Sequence, residues 1–322
     1  MTGPLEGIRV VDLTQVVSGP LATMLLADQG AEVVKVEPLG IGGDVTRLPS
    51  FAKGGISALF VNNNRGKRSL AVDLTKEEGK QIVIDLVEKA DVFIQNFRPG
   101  AIERLGLSYD ELKAVNPKLI YCSISGFGPD GPYSDRPVLD PVIQGLTSMV
   151  SRQLNPLIPF PDLVRNLVAD KSTALTSAQA ITAALFSRER TGEGQFLQIP
   201  MLDSCLYFFW VDGMMDLTML DEDVSPGITL AKVYNITNTS DGQLIYFAAN
   251  DKQRFGLLRA LGRDELCEDE RFSSLAAISN PENFAALGEI VAKEFEKVTN
   301  DEIIPKLIEH QVPCGPILEG EE

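Results

Sequence analysis

Ile8-Arg9-Val10-Val11-Asp12-Leu13-Thr14-Gln15-Val16-Val17-Ser18-Gly19-Pro20 is the stretch from which the fold is read outward. Its first six residues form a short β-branched run, the composition of a buried strand. The run breaks over 14–19. Pro20 then sits in the first turn of a helix, where a missing N–H costs little. Leu21, Met24, Leu25 and Asp28 keep helical spacing, Gly30 closes the helix, and Glu32-Val33-Val34-Lys35-Val36-Glu37 reads as the next strand. Strand, helix and strand in so short a span make a βαβ unit with a parallel pair.

The pattern recurs downstream. Residues 69–74 read as a strand, Thr75-Lys76-Glu77-Glu78 as a capping box opening a helix to residue 90, and 91–95 as another strand. Ser108-Tyr109-Asp110-Glu111 is a second capping box, followed by a strand over 119–123. The expected class is α/β, a sheet with helices on both faces. Residues 125–170 turn rich in Gly, Pro and polar side chains, the composition of a functional loop or a domain connection. A helix is expected from Lys171 to about Arg190, with Leu175, Ala178, Thr182 and Leu185 on one face and Gly192 just beyond its end. A strand over 195–200, an apolar helix over 201–220 and an acidic loop over 221–227 come next. Two short strands about Ser240-Asp241-Gly242 and a helical stretch to about residue 310 follow.

At 322 residues the chain is long enough for roughly two domains. Its 29 basic and 45 acidic side chains give a net charge of −16, which disfavours nucleic acid as a partner. The imbalance is uneven: residues 1–150 carry 15 bases and 18 acids, residues 201–322 carry 9 bases and 23 acids. The first half is the easier host for an anionic ligand. Cys122, Cys205, Cys267 and Cys314 are far apart with no CxxC pair, so they suggest free thiols rather than a zinc site or a disulfide framework. His310 is the only histidine, which leaves little from which to build a Ser-His-Asp triad, a Cys-His pair or a histidine metal site. There is no secretory leader pattern and no apolar run of membrane-spanning length, so a cytoplasmic protein without membrane attachment is expected.

The first βα turn lacks GxGxxG, and no Walker A sequence occurs. Basic residues instead cluster in Asn62-Asn63-Asn64-Arg65-Gly66-Lys67-Arg68-Ser69 and in Asn96-Phe97-Arg98-Pro99-Gly100, with Arg104 a turn later. Either these are ordinary loop charges, or the second group, beyond a strand's carboxyl end, takes a phosphorylated ligand with Phe97 for stacking. Asp170, among apolar Leu167, Val168 and Ala169, is either a helix N-cap or a carboxylate nucleophile held at a helix N-terminus.

Read together, these segments resemble the family III CoA-transferases, the CaiB/BaiF group that also includes α-methylacyl-CoA racemase. The resemblance rests on Pro4-Leu5-Glu6-Gly7-Ile8-Arg9-Val10-Val11-Asp12-Leu13, Ser18-Gly19-Pro20, Gly30-Ala31-Glu32-Val33-Val34-Lys35-Val36-Glu37 and Asn64-Arg65-Gly66-Lys67-Arg68-Ser69. Asn96 to Gly100, Ser125-Gly126-Phe127-Gly128-Pro129-Asp130-Gly131-Pro132, Thr191-Gly192-Glu193-Gly194-Gln195 and Val312-Pro313-Cys314-Gly315-Pro316 follow in order.

The resemblance implies a Rossmann-like large domain over 1–200, a linker helix over 201–225, a smaller α+β domain over 226–322, and an interlocked homodimer. Asp170 matches the family's catalytic aspartate, which passes through a mixed anhydride and an aspartyl-CoA thioester. CoA then lies against Val16, Val72, Leu74, Thr75, Asn96, Phe97, Arg98 and Arg104. The CoA thioester is a substrate, with a small carboxylic acid as the other, and no resident cofactor or metal is implied. The racemase branch of the family has a histidine in a Gly-His-Asp segment. Here that segment reads Pro137-Val138-Leu139-Asp140-Pro141, leaving Asp140 as a substitute acid or base. Some relatives carry basic side chains at the positions of Pro38, Thr75 and Pro137 and a glutamine at Val17. A racemase and a CoA-binding homologue without turnover are therefore the alternatives. The glycine-rich active-site loop is matched only by Ser225-Pro226-Gly227, and the segment returning to the large domain is expected to be short or missing.

Overall fold

The computed structural model describes residues 3–40, 42–48, 51–153, 158, 160–224, 227–318 and 320. They form two compact units. The larger holds the described residues of Met1–Gln153 with Phe160–Val211, and the smaller those of Leu154–Pro159 with Asp212–Glu322.

In the larger unit six strands make one wholly parallel sheet: β1 (Arg9–Asp12), β2 (Glu32–Pro38), β3 (Arg68–Val72), β4 (Val92–Gln95), β5 (Ile120–Ser125) and β6 (Gln195–Pro200). Their order is β3-β2-β1-β4-β5-β6, so the direction of winding reverses between β1 and β4. Parallel strands covered on both faces must be apolar on both faces, and successive residues serve opposite cores. Val10, Ile94 and Cys122 pack with the Ser18–Asp28 and Val168–Thr191 helices. Val11, Phe93 and Tyr121 pack on the other side with the Glu77–Val87 and Tyr109–Val115 helices.

The six strands of this sheet and the Ser108–Glu111 capping box fall where the sequence puts them, within a residue or two, whereas the short antiparallel pair Ala52–Lys53 and Ile56–Ser57 is not among the expected elements. Four local expectations are corrected. The box at Thr75 does not form: Thr75 donates its hydroxyl and N–H to Asp73, and the helix begins at Glu77. The helix expected from Lys171 starts at Val168, and Leu175 points outward while Ala174, Ala178, Ile181 and Leu185 are buried. Its buried face is largely Ala, Ser and Thr, with hydroxyls such as those of Thr173 and Ser177 returned to carbonyls one turn back. That face allows close approach of the Ser18–Asp28 helix, a tertiary demand that outweighs the longer side chains' pattern. The helix expected over 201–220 spans only Met201–Gly213, followed by a single 3-10 turn at Met215–Leu217. Of the Ser225-Pro226-Gly227 segment, Ser225 and Pro226 lie outside the described residues.

The smaller unit is α+β. A three-stranded antiparallel sheet, β7 (Thr237–Asn238), β8 (Gln243–Tyr246) and β9 (Cys314–Pro316), has β8 at its centre. Helices Asp251–Ala260, Pro281–Phe295 and Asn300–Glu309 pack on it around Leu244, Leu257, Phe272, Phe295 and Leu307. His310 lies at the C-cap of the last of these helices, within this unit.

Candidate active site

In a doubly wound sheet the loops after the two strands flanking the reversal part to opposite faces and leave a crevice at the carboxyl ends. Here those loops follow β1 and β4, and Asn96 ties them together. Its side chain accepts the Gln15 N–H at 2.9 Å and donates to the Gln15 carbonyl at 2.8 Å. The next residue, Val16, is left-handed at φ 71°, a strained conformation for a β-branched side chain. Its N–H donates to Asp44 at 3.3 Å, and Asp44 is buried against Lys35 at 2.9 Å. Ser18 then opens a helix whose N-cap position, Val17, provides no side-chain cap. The first amides are left to find partners elsewhere. Gly19 is required at that start, because a Cβ there would stand 2.3 Å from the Thr14 side chain.

Asp170 approaches from the other side. It is in the first turn of its helix rather than at the cap, which is Leu167 without side-chain capping. The structure thus separates the two readings of the sequence: the Asp170 side chain does not cap its own helix. That task passes to Asp140, whose Oδ2 accepts the Asp170 N–H at 2.9 Å while Oδ1 accepts Gln144 Nε2 at 2.6 Å. Gln144 in turn binds both backbone groups of Val164, fixing the approach to the helix.

Val16, Ser18, Asn96, Phe97, Arg98 and Asp170 line one cavity of about 250 Å³, with Ser125, Gly126, Arg136, Val138 and Met201 among the rest of its wall. Gly126 permits that wall to close, since a Cβ there would meet Val138 at 2.3 Å. Among the described residues Asp170 is the only carboxylate in the lining, and it is 8% exposed. Burial, and secondarily the nearby Asp140 carboxylate, push it up to about 6, against the pull of Ser18's hydroxyl and backbone donors. A carboxylate of that kind is ionised near neutrality yet poorly solvated, which suits a nucleophile. Arg98 and Arg136 supply positive charge, the latter stacked over Tyr133 at 3.6 Å.

Of the residues expected around CoA, Val16, Asn96, Phe97 and Arg98 meet Asp170 in this cavity. Val72, Leu74, Thr75 and Arg104 are not in its lining. Val72 packs into the core at 4% exposure, Leu74 packs against the same core, and Thr75 and Arg104 are exposed beyond it. Asp140, the secondary acid, is 2% exposed and outside the lining, with both oxygens occupied. The basic cluster at 62–69 is structural. Lys67 is buried on Asp12 at 3.0 Å, Arg65 pairs with Asp28 and Arg68 with Glu32. Sequence reading missed Ser18 and Arg136 as site residues. The signal for Arg136 was its place in the Gly/Pro-rich loop after β5, beside Pro137.

A wholly parallel Rossmann-like sheet bearing one buried carboxylate among cations at its switch point defines a class: an α/β protein with a charged candidate active site. The profile of CoA-transferase family III matches residues 5–322, and the chain belongs to that family. Over 99% of the chain it is 37% identical to the succinate–glutarate CoA-transferase of Agrobacterium fabrum, covering 81% of that protein. It is 32% identical over 99% of its length to the acetyl-CoA:oxalate CoA-transferase of Acetobacter aceti, covering 82% of it. Among solved structures, Rv3272 from Mycobacterium tuberculosis superposes with a TM-score of 0.85 at 33% identity, over 99% of this chain and 85% of that one. A CaiB/BaiF family protein from Brucella suis gives 0.82 at 36% identity, over 99% and 85%. The protein is accordingly an enzyme of the CoA-transferase class. No helix among the described residues is long and apolar enough to cross a membrane.

Proposed function

We propose that the chain moves CoA between a donor acyl-CoA and a small carboxylic acid, with Asp170 as the covalent carrier. The carrying observation is Asp170 itself, the single buried carboxylate in a cavity flanked by Arg98, Arg136 and a helix N-terminus. Its oxygen attacks the thioester carbonyl; the C–S bond breaks, giving CoA thiolate and an acyl-aspartyl anhydride. The thiolate attacks the aspartyl carbonyl and releases the donor's carboxylate, leaving an aspartyl-CoA thioester. An acceptor carboxylate displaces the thiolate to form a second anhydride. Attack of the thiolate on its acceptor-derived carbonyl then yields the new acyl-CoA and free Asp170. Each tetrahedral oxyanion calls for preorganised donors, and the Ser18 amide and hydroxyl are the nearest candidates to Asp170. Arg98 and Arg136 suit the acceptor carboxylate or CoA phosphates, while Leu74, Thr75 and Arg104 belong to the nucleotide arm beyond the cavity.

The relatives named for succinate, glutarate and oxalate support small carboxylates as the acceptor class. A homodimer accords with the Met201–Gly213 helix, where Tyr207 and Val211 are 78% and 79% exposed. The free state of Cys122, Cys205, Cys267 and Cys314 accords with the cytoplasm. Asp170→Ala is expected to abolish CoA exchange between carboxylates while CoA binding survives. Hydroxylamine should trap the wild-type protein during turnover. Equal exchange rates in wild type and Asp170→Ala would overturn the proposal.

A further inference from the structure

Between β1 and the Ser18–Asp28 helix, the backbone of 14–16 is held group by group by polar side chains. The Thr14 N–H donates to Asp12, and the Thr14 carbonyl accepts Lys35 Nζ at 2.7 Å. The Gln15 amide and carbonyl both go to Asn96. The Val16 N–H donates to Asp44 Oδ1, which also accepts the Thr46 amide and hydroxyl. Lys35 on β2 and Asp44, the cap of a 3-10 turn at Val45–Arg47, close on one another at 2.9 Å, each 1% exposed.

Stability alone does not account for that pair. Both charges must be desolvated, and an apolar pair of similar size is often as stable or more so. What an apolar pair lacks is direction: a donor for the Thr14 carbonyl and an acceptor for the Val16 N–H. Val16 needs such restraint, because φ 71° is strained for valine and a strained residue persists only where its surroundings over-determine it. Two residues on stands Ser18, whose amide and hydroxyl donate to the Asp170 carboxylate. No side chain caps that helix start, so its direction depends on the turn before it.

We propose that Lys35 and Asp44 are positioning residues of the transfer reaction: through the Thr14 carbonyl and the Val16 N–H they keep the Ser18 amide and hydroxyl aimed at Asp170. Neither lines the Asp170 cavity, so both act at one remove from the reacting atoms. This role rests on the reading of Asp170 as the covalent carrier.

The test is CoA exchange between carboxylates, followed as kcat and KM from pH 5 to 8. Asp44→Ala strands the Lys35 charge and unsettles the fold, so the informative variant is Lys35→Met with Asp44→Leu, which leaves no buried charge behind. Thermal melts confirm that it is folded. Its kcat is expected to fall about a hundredfold, the scale of one misplaced oxyanion donor, with KM for the acyl-CoA within about threefold of wild type. The midpoint of the pH–rate profile should rise above about 6, because the Ser18 donors favour the ionised carboxylate. The charged groups around Asp170, namely Asp140, Arg98 and Arg136, lie on other segments and keep their places. Adding Val16→Gly should recover about tenfold of the lost kcat, since glycine takes a positive φ without strain. A folded double variant with wild-type kcat and midpoint, or a loss confined to KM, would refute the positioning role while an inactive Asp170→Ala left the carrier reading intact. Equal exchange by wild type and Asp170→Ala would sink both.

Discussion

Asp170 is held away from the ordinary behaviour of a carboxylate chiefly by burial, and the consequence is measurable. Exchange activity is expected to fall on acidification with an apparent midpoint near 6, since only the ionised form is a nucleophile. Asp140→Asn removes the like charge and should move that midpoint lower; a midpoint unchanged in a pH–rate profile would refute the coupling. Stability carries the opposite sign. The folded state retains the proton above its unfolded value of 3.8, so the contribution of Asp170 to stability declines as pH rises from there to about 6. Asp170→Asn should therefore be more stable than wild type at pH 8, by up to about 3 kcal/mol. Thermal melts at pH 4 and pH 8 check this, the difference disappearing at the lower value.

At the level of elements, the loop after β1 is supported from below by a buried ionic layer. Glu37 on β2 takes Arg47 through two contacts of 2.7 Å, and also accepts the Asp44 N–H and the Ser69 hydroxyl. Burial acts to raise Glu37, but these donors outweigh it and hold the group down at about 2. A carboxylate lowered in this way contributes stability above its ordinary 4.5 and loses it as pH falls toward 2. Glu37→Gln should remove that part of the acid sensitivity, read from denaturant midpoints between pH 5 and 3. Asp44 and Lys35 in the same layer hold Val16 in its left-handed conformation. Asp44→Ala should free the Val16 turn and leave Lys35 buried without its partner, costing about 3 kcal/mol or more of stability. Chemical denaturation measures that loss.

For the whole molecule, the exposed apolar side chains concentrate where the larger unit's chain ends. Along the Met201–Gly213 helix, Tyr207, Phe208, Trp210 and Val211 are all at least 45% exposed. An isolated globule rarely leaves such a row uncovered. Tyr207→Glu combined with Val211→Glu is expected to convert a dimer to a monomer in sedimentation velocity. An unchanged sedimentation coefficient would refute the proposed pairing. The net negative charge is concentrated in residues 201–322, whereas the cavity that holds Asp170 in the larger unit is lined by Arg98 and Arg136.

How much was legible follows from the range over which each signal acts. The βαβ periodicity of 8–37, the Ser108 capping box and the Gly192 helix stop are local. They depend on backbone conformation and on burial patterns that neighbouring residues share, so the strands, the α/β class and the place of Asp170 near a helix start were readable from the sequence. Side-chain partnership is not local. Lys67 reads as a surface cation beside Arg65 and Arg68 until Asp12, 55 residues earlier, is found against it. Asp140 reads as an acid in reserve until its two oxygens are seen closing Gln144 and the Asp170 amide. Arg254 is buried by folding, with Asp251 and the Phe272 carbonyl as its partners. The sequence by itself determined which segments fold as strand or helix and what family they assemble. Only the tertiary structure decided which charges are paired, buried or left with donors to offer, because desolvation and hydrogen bonding are set by groups distant along the chain.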